Sequence, residues 1–225
     1  NPLPRPPNHV YYLLNKPRGV ITGRNDPDGR KSVFDLLESI EDRVEPVGRL
    51  DMDTEGVLLF TNDGDLAHQL THPSMHVPKR YLVKVWRAPD ERTLDRLRKG
   101  VRLEDGRTSP CKIRVVEQTD GGNAWLEVTV TEGRNRLIRR MFEHVNHPVS
   151  KLRRESFATI SARNCERGHV RMLTREEHRR LVEIAGGVDP KRAGQNERYK
   201  KGYARPKPKN DKGTRKRRTL NKRRK

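Results

Sequence analysis

Apolar residues recur along this chain with two periods, and the shorter one dominates. Tyr81, Val83 and Val85 lie on one side of an alternating run from Arg80 to Trp86, as do Leu126, Val128 and Val130 in the run from Trp125 to Val130. Both predict strands with one buried face. His9 to Asn15 and Gly56 to Thr61 are apolar on both faces, as in strands covered on both sides. Shorter strands are predicted at Glu45–Val47, Val101–Leu103 and Lys112–Val116. A helical period appears at Val33, Phe34, Leu36, Leu37 and Ile40, from Asp65 to Thr71 behind an Asp63 cap, and from Glu91 to a stop at Gly100. It returns from Arg136 to Val145, where Leu137, Met141 and Val145 form a stripe, and after the capping box Thr174-Arg175-Glu176-Glu177. Strands that follow one another directly, mixed with a few helices, predict an α+β fold rather than regular βαβ units.

The pattern stops at both ends. Residues 1–8 contain four prolines and read as a linker. A folded domain is expected over 9–186. Residues 187–225 have almost nothing to bury and read as a disordered basic tail. Charge supports this division. The chain of 225 residues carries a formal +20, of which residues 190–225 supply +15, with 17 Lys or Arg against Glu197 and Asp211. The remainder is close to balanced, as for an ordinary globular domain. So dense a basic run favours a polyanionic partner, nucleic acid before a membrane surface, since no lipidation motif or amphipathic basic helix accompanies it. The strongest apolar run, Val57-Leu58-Leu59-Phe60, is far too short to span a bilayer, and two cysteines build neither a disulfide framework nor a zinc site.

Three segments could carry chemistry. Asp51-Met52-Asp53-Thr54-Glu55-Gly56 imitates the start of a calcium loop, but the closing acid falls on Asn62 and apolar residues occupy the ligand positions, so calcium is excluded. Asp51 itself, in a loop between two predicted strands, is either a turn cap or a catalytic carboxylate, and the residues alone leave both open. His68, His72 and His76 have helical spacing, but Pro73 interrupts it. Finally, Arg134, Arg136, Arg139 and Arg140 crowd the start of a helix, with Arg136, Arg139 and Arg140 expected on one side of it and Lys151, Arg153 and Arg154 extending the positive surface toward phosphate.

Taken in order, Asn15-Lys16-Pro17-Arg18-Gly19, Gly48-Arg49-Leu50-Asp51, Lys79-Arg80-Tyr81 and Glu132-Gly133-Arg134-Asn135-Arg136-Leu137-Ile138-Arg139-Arg140-Met141-Phe142 resemble the pseudouridine synthases of the RsuA/RluB group. The resemblance covers about residues 9–185. Arg24 to Arg30 with Val33-Phe34-Asp35, and the basic tail, are similar to the large-subunit (RluB-type) branch. Members of the group usually carry a small RNA-binding domain ahead of the catalytic one, for which residues 1–8 would be the linker.

The resemblance implies a mixed, largely antiparallel sheet with flanking helices and a central catalytic cleft. It implies isomerisation of uridine to pseudouridine in ribosomal RNA, with no cofactor and no metal. Asp51 matches the group's essential aspartate, either attacking the sugar or taking a proton from it. Arg139 matches the arginine that pairs with that aspartate, and Tyr81 the aromatic that stacks on the target base. Arg49 matches the residue that enters the RNA stack when the uridine flips out. Leu152 supplies an apolar wall, and Lys16, Arg134, Arg136 and Arg140 are expected to contact substrate. The implied partners are large-subunit rRNA or a pre-ribosomal particle, with no membrane. The implied setting is a bacterial cytoplasm, with a monomer as the default state. Two other readings compete: a non-catalytic RNA-binding assembly factor, and a metal-dependent nuclease built on Asp51, Asp53 and Glu55.

Overall fold

The computed structural model describes residues 8–186, apart from 25, 27 and 120. The Pro-rich lead-in, except Asn8, and the whole basic tail lie outside the described residues. Strands β1 (Tyr11–Lys16), β2 (Glu45–Pro46) and β3 (Thr54–Thr61) precede helix α1 (Gly64–Thr71). Then come β4 (Lys79–Val85), α2 (Glu91–Lys99), the short hairpin β5 (Arg102–Leu103) and β6 (Gly106–Arg107), β7 (Lys112–Gln118) and β8 (Ala124–Val130). The last elements are α3 (Leu137–His144), β9 (Val149–Phe157), β10 (Ile160–Ser161), β11 (Val170–Met172) and α4 (Arg175–Ile184).

The main sheet runs β11-β1-β3-β9-β4-β8-β7, with β2 added beside β3 and β10 beside β9. Every strand pairing in it is antiparallel except one. β3 and β9 run parallel, and only over three residues, Thr54–Gly56 against Leu152–Arg154. This junction joins two halves of different construction. In the β1–β3 half, Leu13, Val57 and Leu59 pack on one face with α1 and α4, while Leu14, Leu58 and Phe60 pack on the other under the 20–50 loop. That is why these strands are apolar at consecutive positions. In the β9–β4–β8–β7 half one face is covered, by α2 and α3, and β8 shows strict alternation of buried and half-buried residues. Burying these stripes stabilises by roughly 25 cal/mol per Å² of apolar surface.

Local signals place most of the helices. Asp63 Oδ1 accepts from Leu66 N at 3.0 Å, Asp90 Oδ1 from Thr93 N at 2.8 Å, and Thr174 with Glu177 completes a capping box. One expectation fails. Residues 33–40 form a single 3₁₀ turn, Val33–Leu36, closed by its own capping box of Ser32 and Asp35. Its apolar residues point into the core from a loop and need no helix to do so. No element was expected at the nine-residue β9, because Lys, Arg or Glu fills four of its positions and one of these, Arg154, faces inward with only 3 % exposure.

The parallel junction depends on Gly56. Its φ is +104°, and a Cβ there would lie 2.1 Å from the carbonyl oxygen of Arg154. Backbone cannot yield that distance, so Gly56→Ala is expected to lower unfolding stability by about 3 kcal/mol or more. Urea denaturation should show the midpoint falling at constant slope.

Candidate active site

A cleft of about 310 Å³ opens where the two halves of the sheet diverge. Its rim is the loop before β3, its floor includes Tyr81 of β4 and Leu152 of β9, and its far wall is the segment leading into α3. Asp51 stands on the rim loop, at a turn closed by Thr54 N donating to its carbonyl at 3.0 Å. Arg49 is exposed two residues before it at the mouth. Tyr81 packs against the core clusters on both sides of the junction, so its ring is held at the boundary of the halves.

The Asp51 loop is built around a buried cation. Lys16, at the end of β1, is fully buried, and its Nζ donates to the carbonyls of Thr54 at 2.9 Å, Asp51 at 3.1 Å and Pro17 at 3.1 Å. An ammonium has three donors, and three carbonyls use them. Gly19 N donates to Met52 O at 2.8 Å and ties the same loop from the other side. Burial pulls the Lys16 pKa down from 10.5 to about 8, opposed by Asp53, Asp51 and Glu55. This corrects the expectation of a substrate contact at Lys16. A residue with no exposed surface cannot touch RNA, and it acts by fixing the backbone that carries Asp51.

The arginines divide the acids among them. Arg139 Nη2 lies 2.9 Å from Asp53 Oδ2, and its guanidinium also donates to Asp53 O at 3.2 Å and Val149 O at 3.3 Å. Arg136 reaches Asp51 Oδ2 at 3.8 Å and Asp53 Oδ1 at 3.6 Å. Glu55 pairs instead with Arg167 at 3.1 Å. The expected Arg139–Asp51 pair is therefore an Arg139–Asp53 pair, and the cation nearer Asp51 is Arg136. Arg136 caps α3 in the left-handed region at φ 46°, and that backbone conformation at the helix start directs its side chain across the cleft. Asp51 and Asp53 share Arg136 while Glu55 is drawn away to Arg167, and among the described residues no three His, Cys, Asp or Glu side chains are grouped so as to hold a metal ion.

Arg140 also departs from expectation. It turns away from Asp51 and holds Asp105 of the β5–β6 turn at 2.9 Å, and Arg134, on the cleft wall, grips the same carboxylate at 3.0 Å. On a helix only eight residues long, a step of one position rotates a side chain by about 100°, enough to separate Arg139 from Arg140. Arg154 departs from expectation as well. Expected with Lys151 and Arg153 on the positive surface, it is instead buried on the cleft side, with Nε donating to Val57 O at 2.7 Å and its guanidinium 5.2 Å from the Phe157 ring. Lys79, beside it, has its pKa lowered to about 8 by burial and by Arg154. The strand period of β4 puts Lys79 on the same face as Tyr81 and was a signal for it, whereas Arg154 shares a face with Leu152 only once β9 is known to be a strand.

The profile of the RNA pseudouridylate synthase family matches residues 10–144, well over half of the chain and all of the rim loop, β4 and α3. The chain belongs to this family. Ribosomal large subunit pseudouridine synthase B of Bacillus subtilis is 44% identical over 177 residues, 78% of this chain and 72% of that protein. An uncharacterized RNA pseudouridine synthase of Aquifex aeolicus is 41% identical over 184 residues, 81% of this chain and 73% of that one. Ribosomal large subunit pseudouridine synthase B of Pasteurella multocida is 46% identical over 153 residues, which is 68% of this chain but only 43% of its own length. A crystal structure of a pseudouridylate synthase superposes with a TM-score of 0.70 at 28% identity, covering 78% of this chain and 74% of that one. The mixed, largely antiparallel sheet with flanking helices is thus the pseudouridylate synthase fold.

Within this synthase domain, six of the nine expected site residues line one cleft: Arg49, Asp51, Tyr81, Arg134, Arg136 and Leu152. Lys16, Arg139 and Arg140 stand behind it. Lys16→Met is expected to lower kcat by about 100-fold through misplacement of the rim loop while RNA affinity stays within about twofold. Single-turnover kinetics beside equilibrium RNA binding would separate the two. Between pH 8 and 10.5 the unfolded chain holds protons that folded Lys16 and Lys79 have released, so these groups make stability rise with pH across that window. Lys16→Met should flatten the rise in urea titrations at successive pH values.

Proposed function

We propose that this pseudouridylate synthase isomerises a uridine of large-subunit ribosomal RNA to pseudouridine, with Asp51 as its essential carboxylate. The observation that carries this reading is one cleft that gathers a carboxylate, an aromatic ring, an apolar wall and arginines at its mouth, on a chain 44% identical to a large-subunit enzyme over most of both lengths. The reaction breaks the bond from uracil N1 to the ribose C1′ and forms one from C5 to C1′. The C5 proton leaves and N1 gains a proton, so the product is an isomer and no redox equivalent is needed.

The residues divide this work. A uridine inside a helix is out of reach and has to flip into the cleft, and Arg49 at the mouth is placed to fill the gap it leaves. Tyr81 and Leu152 take the two faces of the base. Asp51, on a loop fixed by Lys16, meets the ribose, either as nucleophile at C1′ or as base toward a sugar proton. Arg136 stabilises charge on Asp51, and Arg139 holds the loop through Asp53. Orientation of this kind supplies a large part of a barrier reduction without cofactor chemistry. No helix among the described residues is long and apolar enough to cross a membrane. A bacterial cytoplasmic setting, action on an assembling particle and a monomeric state complete the proposal.

Tritium release from large-subunit rRNA labelled at uracil C5 tests it. Wild type is expected to release tritium with chelator present, and Asp51→Asn to fall to background while keeping its RNA affinity. Undiminished release by Asp51→Asn would overturn the assignment of the carboxylate.

A further inference from the structure

A second hollow, of about 380 Å³, lies outside the cleft between the C-terminal ends of α2 and α3 and the β5–β6 hairpin. Its charged lining is Arg96, Lys99, Arg102, Arg107 and His144, all exposed, and it contains no carboxylate. Among the described residues none of the four Lys and Arg side chains has a carboxylate oxygen within 4.0 Å. Arg98 of the same α2 shows how a structural arginine is held here. It is paired with Glu91 and with Asp95 at 2.8 Å, and donates to Ile113 O at 3.0 Å.

Two features separate this hollow from ordinary surface charge. Arg102 and Arg107 are directly opposite each other across the hairpin. Like charges at facing positions destabilise a strand pair, and this pair has only two rungs to absorb the cost. The arrangement is also fixed. Gly100, at φ +92°, lets the Thr108 carbonyl approach so closely that a Cβ would stand 2.3 Å from it, and Thr108 Oγ1 accepts from Val101 N at 3.0 Å. The hairpin is thereby locked to the end of α2. Helix C-termini do attract cations, but each is worth about half a negative charge. Two such ends against four permanent cations leave a surplus of about three positive charges.

We propose that this hollow is a docking site for backbone phosphates of the same RNA that enters the cleft, taken up by Arg96, Lys99, Arg102 and Arg107. The inference rests on the proposed RNA substrate. The hairpin connects the two sites. Its turn is clamped by Arg134 and Arg140 through Asp105, and Arg134 lines the cleft. From Asp105 in that turn, Arg107 is about 7 Å and Arg102 about 10 Å away along the chain at the rise of a strand, within the reach of a few nucleotides. A phosphate between the two arginines relieves their repulsion, and the fixed hairpin loses little freedom in binding it. The contact positions the RNA and reads no bases.

The test is Arg102→Gln/Arg107→Gln in the full chain, with Arg96→Gln as a second variant that leaves the hairpin untouched. For the large-subunit rRNA substrate the double variant should raise KM about tenfold with kcat within about twofold, and the slope of log affinity against log salt should fall by about 1 for each arginine removed. Thermal unfolding should be unchanged or slightly raised, as repulsion is removed. Unchanged KM and salt slope in both variants would overturn the proposal. So would loss of binding to phosphatidylserine vesicles with RNA binding intact, which would make the hollow a membrane contact. If wild type binds rRNA but releases no tritium, the proposed reaction fails while the salt slopes still decide this site.

Discussion

Among the described residues, three residue pairs between β3 and β9 are the only strand pairing that joins the two halves of the sheet, and the cleft opens where that pairing ends. A parallel pairing that continued would close the sheet and leave no gap. One that was absent would leave two unconnected half-sheets. Gly56 permits the close approach, the pairing begins at Thr54, the first residue of β3, and beyond Gly56 and Arg154 the two strands run on without pairing to each other. Asp51 and Asp53 therefore hang at the opening, on a loop with no neighbouring strand to hold it.

Lys16 supplies that support. It pairs with Gly56 at the last rung between β1 and β3, so the same glycine position that admits β9 brings the ammonium beneath the loop. Desolvating a cation is costly, and three carbonyls and nearby acids offset the cost only if the loop keeps one shape. Arg139 does the same from the other side through Asp53. Lys16 and Arg139 thus stand behind the cleft, while Arg49, Arg134 and Arg136, with Lys79 and Arg154, line it.

The two halves also differ in what they leave exposed. The β1–β3 half is covered on both faces and supplies rigidity. The other half is covered on one face, and its helices end near a hairpin of two-residue strands that projects arginines. Asp105 ties this hairpin to Arg134 on the wall of the cleft and so fixes the spacing between the two.

Period and capping were written locally, and so the sequence by itself determined the α+β class, the one-sided strands β4 and β8, the helices α1, α2 and α4, and the ordered motifs around Asp51, Tyr81 and the arginine-rich helix. These depend on neighbours a few residues away, where spacing alone decides which side chains share a face. The tertiary structure decided what long-range contact controls. It made a central strand of β9 despite its charges, since partners on both edges satisfy its backbone. It buried Arg154 and Lys16, whose compensating carbonyls come from distant segments. It assigned Arg139 to Asp53 and Arg140 to Asp105, because a rotation of about 100° per residue sends adjacent arginines to different partners. It also set four cations around one hollow from a helix and a hairpin whose sequence shows only scattered positive charge.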